Sequence, residues 1–265
     1  LECSEIDCSL LQLVISWTLT RNQRANCDQA DAFMNDYTTL RYVDNVGQNF
    51  LFRGGMPTDD SGNFDYPGLT AAIANAASPV PVPSSYYLVD ISLLHPNETT
   101  ELEAELTFFY NGSPSGQLNL WDTNGTPRCY FQTDPIERDY LVAQLDQWLD
   151  DPLIWRVATL RNWLETSQLP APAPPGVPLL FYVHCDGGCD RTAELIGAYR
   201  LRYMGDSWSA MWNDQPCRRP LGCNNYRALQ WYAFWLNATL GFSLSGMGED
   251  GGCFDPGGQH RACSP

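Results

Sequence analysis

Leu179-Leu180-Phe181-Tyr182-Val183-His184-Cys185-Asp186-Gly187-Gly188-Cys189-Asp190-Arg191-Thr192-Ala193-Glu194-Leu195-Ile196-Gly197-Ala198-Tyr199 is the stretch whose reading decides the fold. Its first five residues form an unbroken apolar run of strand length, as expected of a parallel strand buried on both faces. From Ala193 onward it reads as a helix. A strand that turns tightly into a helix aims successive backbone N–H groups, and the positive end of the helix dipole, at one point, so the turn suits an anion. A thiol at the head of that turn, Cys185, gives up its proton easily because the dipole and Arg191 favour the thiolate. Arg191 can grip two phosphoryl oxygens bidentately. Gly187 and Gly188 allow the close turn, and Thr192 can donate its hydroxyl to the sulfur.

Outward from this stretch, strands alternate with helices. A Pro-rich linker, 170–178, precedes it. Before the linker, Asp139 to Leu164 carries Leu141, Leu145, Trp148, Leu149, Ile154, Val157, Leu160 and Leu164 at helical spacing, interrupted at Pro152. Gln117 to Trp121, Tyr86 to Ile91 and Phe50 to Arg53 read as strands, the last ended by Gly54-Gly55-Met56-Pro57. Thr100-Glu101-Leu102-Glu103 has capping-box spacing and opens a helix that runs to Asn111-Gly112. The alternation predicts an α/β fold with a central, mostly parallel sheet flanked by helices. Three regions follow: a helical, Cys-containing N-terminal extension over 1–48, the main domain over 49–240, and a Gly- and Cys-rich tail over 241–265, with disulfides stapling both ends.

His184-Cys185, Arg191 and Thr192 resemble the His-Cys-x5-Arg-Ser/Thr signature of protein tyrosine and dual-specificity phosphatases, as a divergent secreted member would carry it. Phe52-Arg53-Gly54-Gly55-Met56-Pro57 looks like the Arg-x-Gly-x-Pro entry of the compact dual-specificity type, and Val89-Asp90-Ile91 looks like its next strand. The resemblance implies a phosphatase-like fold over 49–240 and hydrolysis of phosphomonoesters through a phosphocysteine on Cys185, without a cofactor or metal. It implies a phosphate loop made of Asp186, Gly187, Gly188, Cys189, Asp190, Arg191 and Thr192. It also implies an aspartate that protonates the leaving oxygen; Asp122, directly after strand 117–121, is the first choice, and Asp134 the rival. Asp186 and Asp190 put negative charge in the loop, which disfavours highly phosphorylated inositides and leaves phosphotyrosine, a phosphorylated protein or a small phosphorylated molecule. Cys189, four residues from the nucleophile, raises the alternative of a Cys185–Cys189 bridge. In that case the chain would be an extracellular structural or binding module with an oxidised or unused cysteine.

Composition narrows the setting. The 265-residue chain is 44% hydrophobic and has no lysine, so all its cationic side chains are arginines; the formal charge is -16. No basic cluster beyond Arg218-Arg219 is present, which excludes a nucleic-acid partner. Ten cysteines and four N-x-S/T sequons, at Asn97, Asn111, Asn124 and Asn237, predict an extracellular or secretory-lumen protein carrying glycans. Extracellular protein assembly is a further partner class, although no periodicity singles out an exposed aromatic patch. Leu10 to Leu19 is too short to span a bilayer, and no membrane span is expected. Leu10 to Trp17 reads instead as an apolar helix, and the acidic, Cys-containing start as that of a mature chain whose signal is gone. Trp208, Trp212, Trp231 and Trp235 are expected in the core between the last helices, and Cys217 and Cys223 to staple a polar loop, to each other or to a terminus. His184 is expected to orient Cys185, and Glu194 to hydrogen-bond the loop or Arg191.

Overall fold

The computed structural model describes residues 37–94, 99–110, 116–119, 153–169, 173–217 and 221–247. Among these, the elements run β1 (Arg41–Val46), β2 (Asn49–Gly54), α1 (Tyr66–Asn75), β3 (Tyr87–Ser92), α2 (Thr99–Tyr110), β4 (Gly116–Asn119), α3 (Leu153–Thr166), β5 (Leu179–His184), α4 (Arg191–Tyr199), a π-helical turn (Arg200–Met204), α5 (Trp208–Asn213) and α6 (Cys223–Leu240). The five strands form one mixed sheet in the order β1-β2-β5-β3-β4. Strands β2, β5, β3 and β4 run parallel and β1 is antiparallel to β2.

The apolar run of β5 has the cause expected from its sequence. It lies in the middle of the sheet, between β2 and β3, with all six residues buried. Alternate side chains point to opposite faces. Leu51, Val89, Phe181 and Val183 pack under α3, α4 and α6, whereas Phe50, Phe52, Leu88, Leu180 and Tyr182 pack against Leu69 and Ile73 of α1 and Phe108 and Phe109 of α2. The protein is thus an α/β fold with helices on both faces of the sheet. Helix α1 starts where Asp65 accepts a hydrogen bond from the Gly68 N–H at 2.9 Å with Pro67 in the first turn. Helix α3 buries Val157, Leu160 and Leu164, as the spacing predicted, together with Leu153, while Ile154 is only half-buried. Trp208 and Trp231 are fully buried, and Trp212 and Trp235 pack against the same core from its margin.

Strand β1 has no counterpart in the sequence reading, which places the first strand at Asn49. Arg41–Val46 mixes polar and apolar side chains without a regular alternation, lies at a sheet edge and is mostly half-buried, so it lacks the apolar run that marks β2 and β5. Its Asp44 carboxylate accepts from Tyr199 Oη at 2.7 Å and pairs with Arg161 at 3.3 Å, which ties the edge to α3 and α4. The predicted helices within 9–36 and 139–152, and the tail beyond 247, lie outside the described residues. Among the described residues, no helix is long and apolar enough to cross a membrane.

The register sets up the site. Gly54, His184 and Ser92 lie level across β2, β5 and β3 at the C-terminal ends of all three strands. In open parallel sheets, that edge is where ligands bind.

Candidate functional site

Cys185 is the first residue beyond β5 and is a free, buried thiol. The loop after it is fastened from the β2 side. The Met56 N–H donates to Asp186 O at 2.7 Å, and Arg53 Nη2 donates to Gly188 O at 2.7 Å. Gly188 has φ +70°, and a Cβ there would sit 2.4 Å from the Gly54 carbonyl and 2.5 Å from Gly55 N. A Cβ on Gly55 would lie 2.9 Å from Asp186 O. Backbone therefore rests on backbone, and Gly55 and Gly188 are needed for that approach.

Helix α4 begins at Arg191, with its first intrahelical bond from Glu194 N to Asp190 O at 2.9 Å. The N–H groups of Arg191, Thr192 and Ala193 have no intrahelical acceptor. Thr192 is fully buried, and its hydroxyl makes no hydrogen bond among the described residues, to sulfur or otherwise. Arg191 is half-buried and donates through Nη1 to Leu93 O at 2.8 Å, bridging the helix start and the end of β3. Arg191, Thr192 and Cys185 thus meet at the strand edge defined above.

Two expectations are corrected. Cys189 is bonded to Cys217, with Cα atoms 5.6 Å apart, and not to Cys185. Cys217 accordingly staples to the loop, not to Cys223 or a terminus. The reason is placement: the linker after α5 passes beside the loop, where Gln215 and Cys217 meet Arg53 and Cys189, while Cys185 stays a buried free thiol. The negative charge expected inside the loop is also partly diverted, because Asp190 Oδ1 accepts from the Gly222 N–H at 2.7 Å where α6 begins.

Arg53 was not singled out as a site residue. It is a second guanidinium next to the loop, 3% exposed, with Nη1 donating to Gln215 Oε1 at 2.8 Å. Burial lowers its pKa to about 10, against the attraction of Cys185 and Asp214. An arginine ending the apolar strand Phe50-Leu51-Phe52 is the signal that could have found it.

Behind Cys185 lies a buried charged cluster. His184 Nδ1 is 3.3 Å from Cys185 O, and its Nε2 is 3.1 Å from both Asp90 Oδ1 and Glu105 Oε1. Burial pushes the His184 pKa down, but the two carboxylates outweigh it and hold it well above the ordinary histidine value. Burial also raises Asp90, to about 6, against the pull of His184. The donor atoms of these three residues all lie within 4.8 Å of one another and could hold a cation. A protonated imidazole between the two carboxylates meets the same electrostatic need. Neither acid was picked out from sequence, where only Asp90, alone in an apolar strand, offered a hint. Glu194, on the buried side of α4, pairs with Arg156 at 2.7 Å and accepts from Asn225 Nδ2 at 2.7 Å.

Asp122 and Asp134, together with Asn97, Asn111 and Asn124, lie outside the described residues. Asn237 is exposed near the end of α6. Comparison of the chain with protein-family models and with curated proteins finds no match in either.

Proposed function

We propose that the chain is a cysteine-dependent phosphomonoester hydrolase of protein tyrosine phosphatase type. The observation that carries this reading is the free Cys185 thiol at the head of a strand-loop-helix turn, with Arg191 and Thr192 in the first turn of the helix. The three described segments behind the family resemblance support it, because they fall on β2, β3 and β5, neighbours in one sheet.

In this scheme, the Cys185 thiolate attacks phosphorus, the S–P bond forms and the P–O bond to the leaving group breaks. Asp122 gives its proton to the departing oxygen. Water then attacks phosphorus, Asp122 takes its proton, and the S–P bond breaks to return the thiolate and release phosphate. Arg191 holds equatorial oxygens through both attacks. A phosphotyrosine-bearing protein or a small phosphorylated molecule is the substrate class. A secreted or lumenal setting fits a loop that carries a disulfide, and glycans at the sequons belong to the same setting.

The rival is a module that keeps this architecture and binds without turnover. Phosphate release from para-nitrophenyl phosphate and from a phosphotyrosine peptide separates the two. The wild-type chain is expected to turn over, and Cys185→Ser to abolish turnover while leaving the circular dichroism spectrum unchanged. No release from the wild type, or equal release from the variant, overturns the proposal.

A further inference from the structure

The anion loop is joined to the linker after α5 twice. Covalently, Cys189 is bonded to Cys217. Non-covalently, Arg53 reaches a residue just ahead of each of these cysteines: Gly188 O through Nη2 and Gln215 Oε1 through Nη1. Gln215 is itself held to α5 by its N–H, which donates to Trp212 O at 3.2 Å. One buried side chain and one disulfide thus fasten the same two segments to each other, and Arg53 fastens both to β2.

The fastening determines which way the loop amides point. In a trans peptide, the C=O and the following N–H are directed oppositely. Arg53 draws the Gly188 carbonyl toward β2, so the Cys189 N–H points away from it. Met56 N draws the Asp186 carbonyl to the same side, so the Gly187 N–H points away as well. An anion cradle requires this arrangement, with carbonyls turned outward and successive N–H groups turned inward. Released from Arg53, the Gly188 peptide could rotate and present its oxygen to the phosphate.

The charge of Arg53 points the same way. Among the described residues no carboxylate lies within ion-pair distance of it, and its Nε makes no hydrogen bond. A buried cation without a paired anion is unfavourable unless something supplies the charge. The Cys185 thiolate and a bound phosphate are the anions this loop would provide.

We propose that Arg53 and the Cys189–Cys217 disulfide together are positioning elements of the anion loop, so that full phosphate affinity and turnover require the oxidised disulfide. The inference rests on the hydrolase reading above. It gives the protein an unusual redox response: a thiol reductant, which protects a catalytic cysteine, would here also open the bond that shapes its loop. Reduction converts the disulfide and a dithiol into two cysteine thiols and an oxidised dithiol.

The test combines inorganic phosphate binding by titration calorimetry, in the Cys185→Ser background, with steady-state hydrolysis of para-nitrophenyl phosphate. Both are run on the full chain and on Cys189→Ser/Cys217→Ser, Arg53→Met and Arg53→Lys variants. Removing either fastening is expected to weaken phosphate binding about tenfold, the usual scale for a lost hydrogen bond to a charged group, and to raise KM alongside. Arg53→Lys keeps the charge but not the two-pronged reach, and should fall between wild type and Arg53→Met. Wild-type turnover should decline as dithiothreitol opens the bond. Variants that melt at lower temperature but bind phosphate as the parent does would overturn the inference and leave the hydrolase reading standing. If the parent neither binds phosphate nor turns over, both fall together. Arg53→Lys, which keeps the buried cation, provides the answer should the serine variant fail to fold.

Discussion

Arg156 and Glu194 form an ion pair with side chains 1% and 0% exposed, and each depends on the other to be tolerated in the core. Arg156→Met would leave the Glu194 carboxylate buried with Asn225 as its named hydrogen-bond donor, and is expected to destabilise the fold by about 3–5 kcal/mol. Urea denaturation measures this, and adding Glu194→Gln should recover part of the loss. At the reacting centre, Asp122→Ala is expected to slow hydrolysis about 10²–10⁴-fold, the range for a lost general acid. Asp134→Ala should leave the rate near wild type; the reverse pattern would move the acid to Asp134.

At the scale of elements, the loop from Cys185 to Asp190 is shaped by what lies against it. Gly188→Ala forces a side chain into a left-handed conformation, at about 1–2 kcal/mol, and into the Gly54 carbonyl. The expected result is a lower melting temperature together with weakened phosphate binding, whereas Gly62→Ala, which is left-handed but has open space around it, should show only the strain. The strand-loop-helix unit was legible in the sequence because its residue types admit few alternatives: five apolar strand residues, then two glycines, then a helical repeat. Strand β3 and helix α2 were legible for similar reasons, an apolar run and a capping box. Strand β1 was not, because Arg41, Asp44 and Asn45 conceal it and only its pairing with β2 defines it. Nor was the clamp: Arg53 and Gln215 lie 162 residues apart, and no local pattern joins them. Ten cysteines likewise permit many pairings, and only the fold brings Cys217 beside Cys189.

For the molecule as a whole, acidity affects stability through both its surface and its core. His184 is held above its ordinary pKa, so the folded protein binds that proton more tightly than the unfolded chain. Its contribution is complete below about 6.5 and is lost as pH rises through the folded value. Asp90, raised to about 6, acts with the same sign between its ordinary value and that one. Tyr182 stacks on His184 from the same strand and is held neutral by burial. Mutual repulsion in a chain of formal charge -16 adds to the trend. Denaturation midpoints should therefore fall from pH 5 to pH 9, and less steeply in Asp90→Asn. A flat profile in the wild type would remove this cluster from the account of stability.

The strand order has a consequence for synthesis. The central position in the sheet is taken by the last of the described strands to be made: Phe50 pairs with Leu180, and Val89 with Phe181. Until β5 emerges, β2 and β3 have no partner between them, and each offers an open edge of buried-type side chains. Roughly 90 residues separate Ser92 from His184, which at about 5–20 residues per second leaves those edges waiting for on the order of 5–20 seconds. Nascent chains stopped before Leu179 should accordingly remain protease-sensitive and chaperone-bound, and those released after Leu240 should not. The segment that carries Cys185 is thus also the one that closes the sheet, so the thiol arrives with the strand that joins the two open edges.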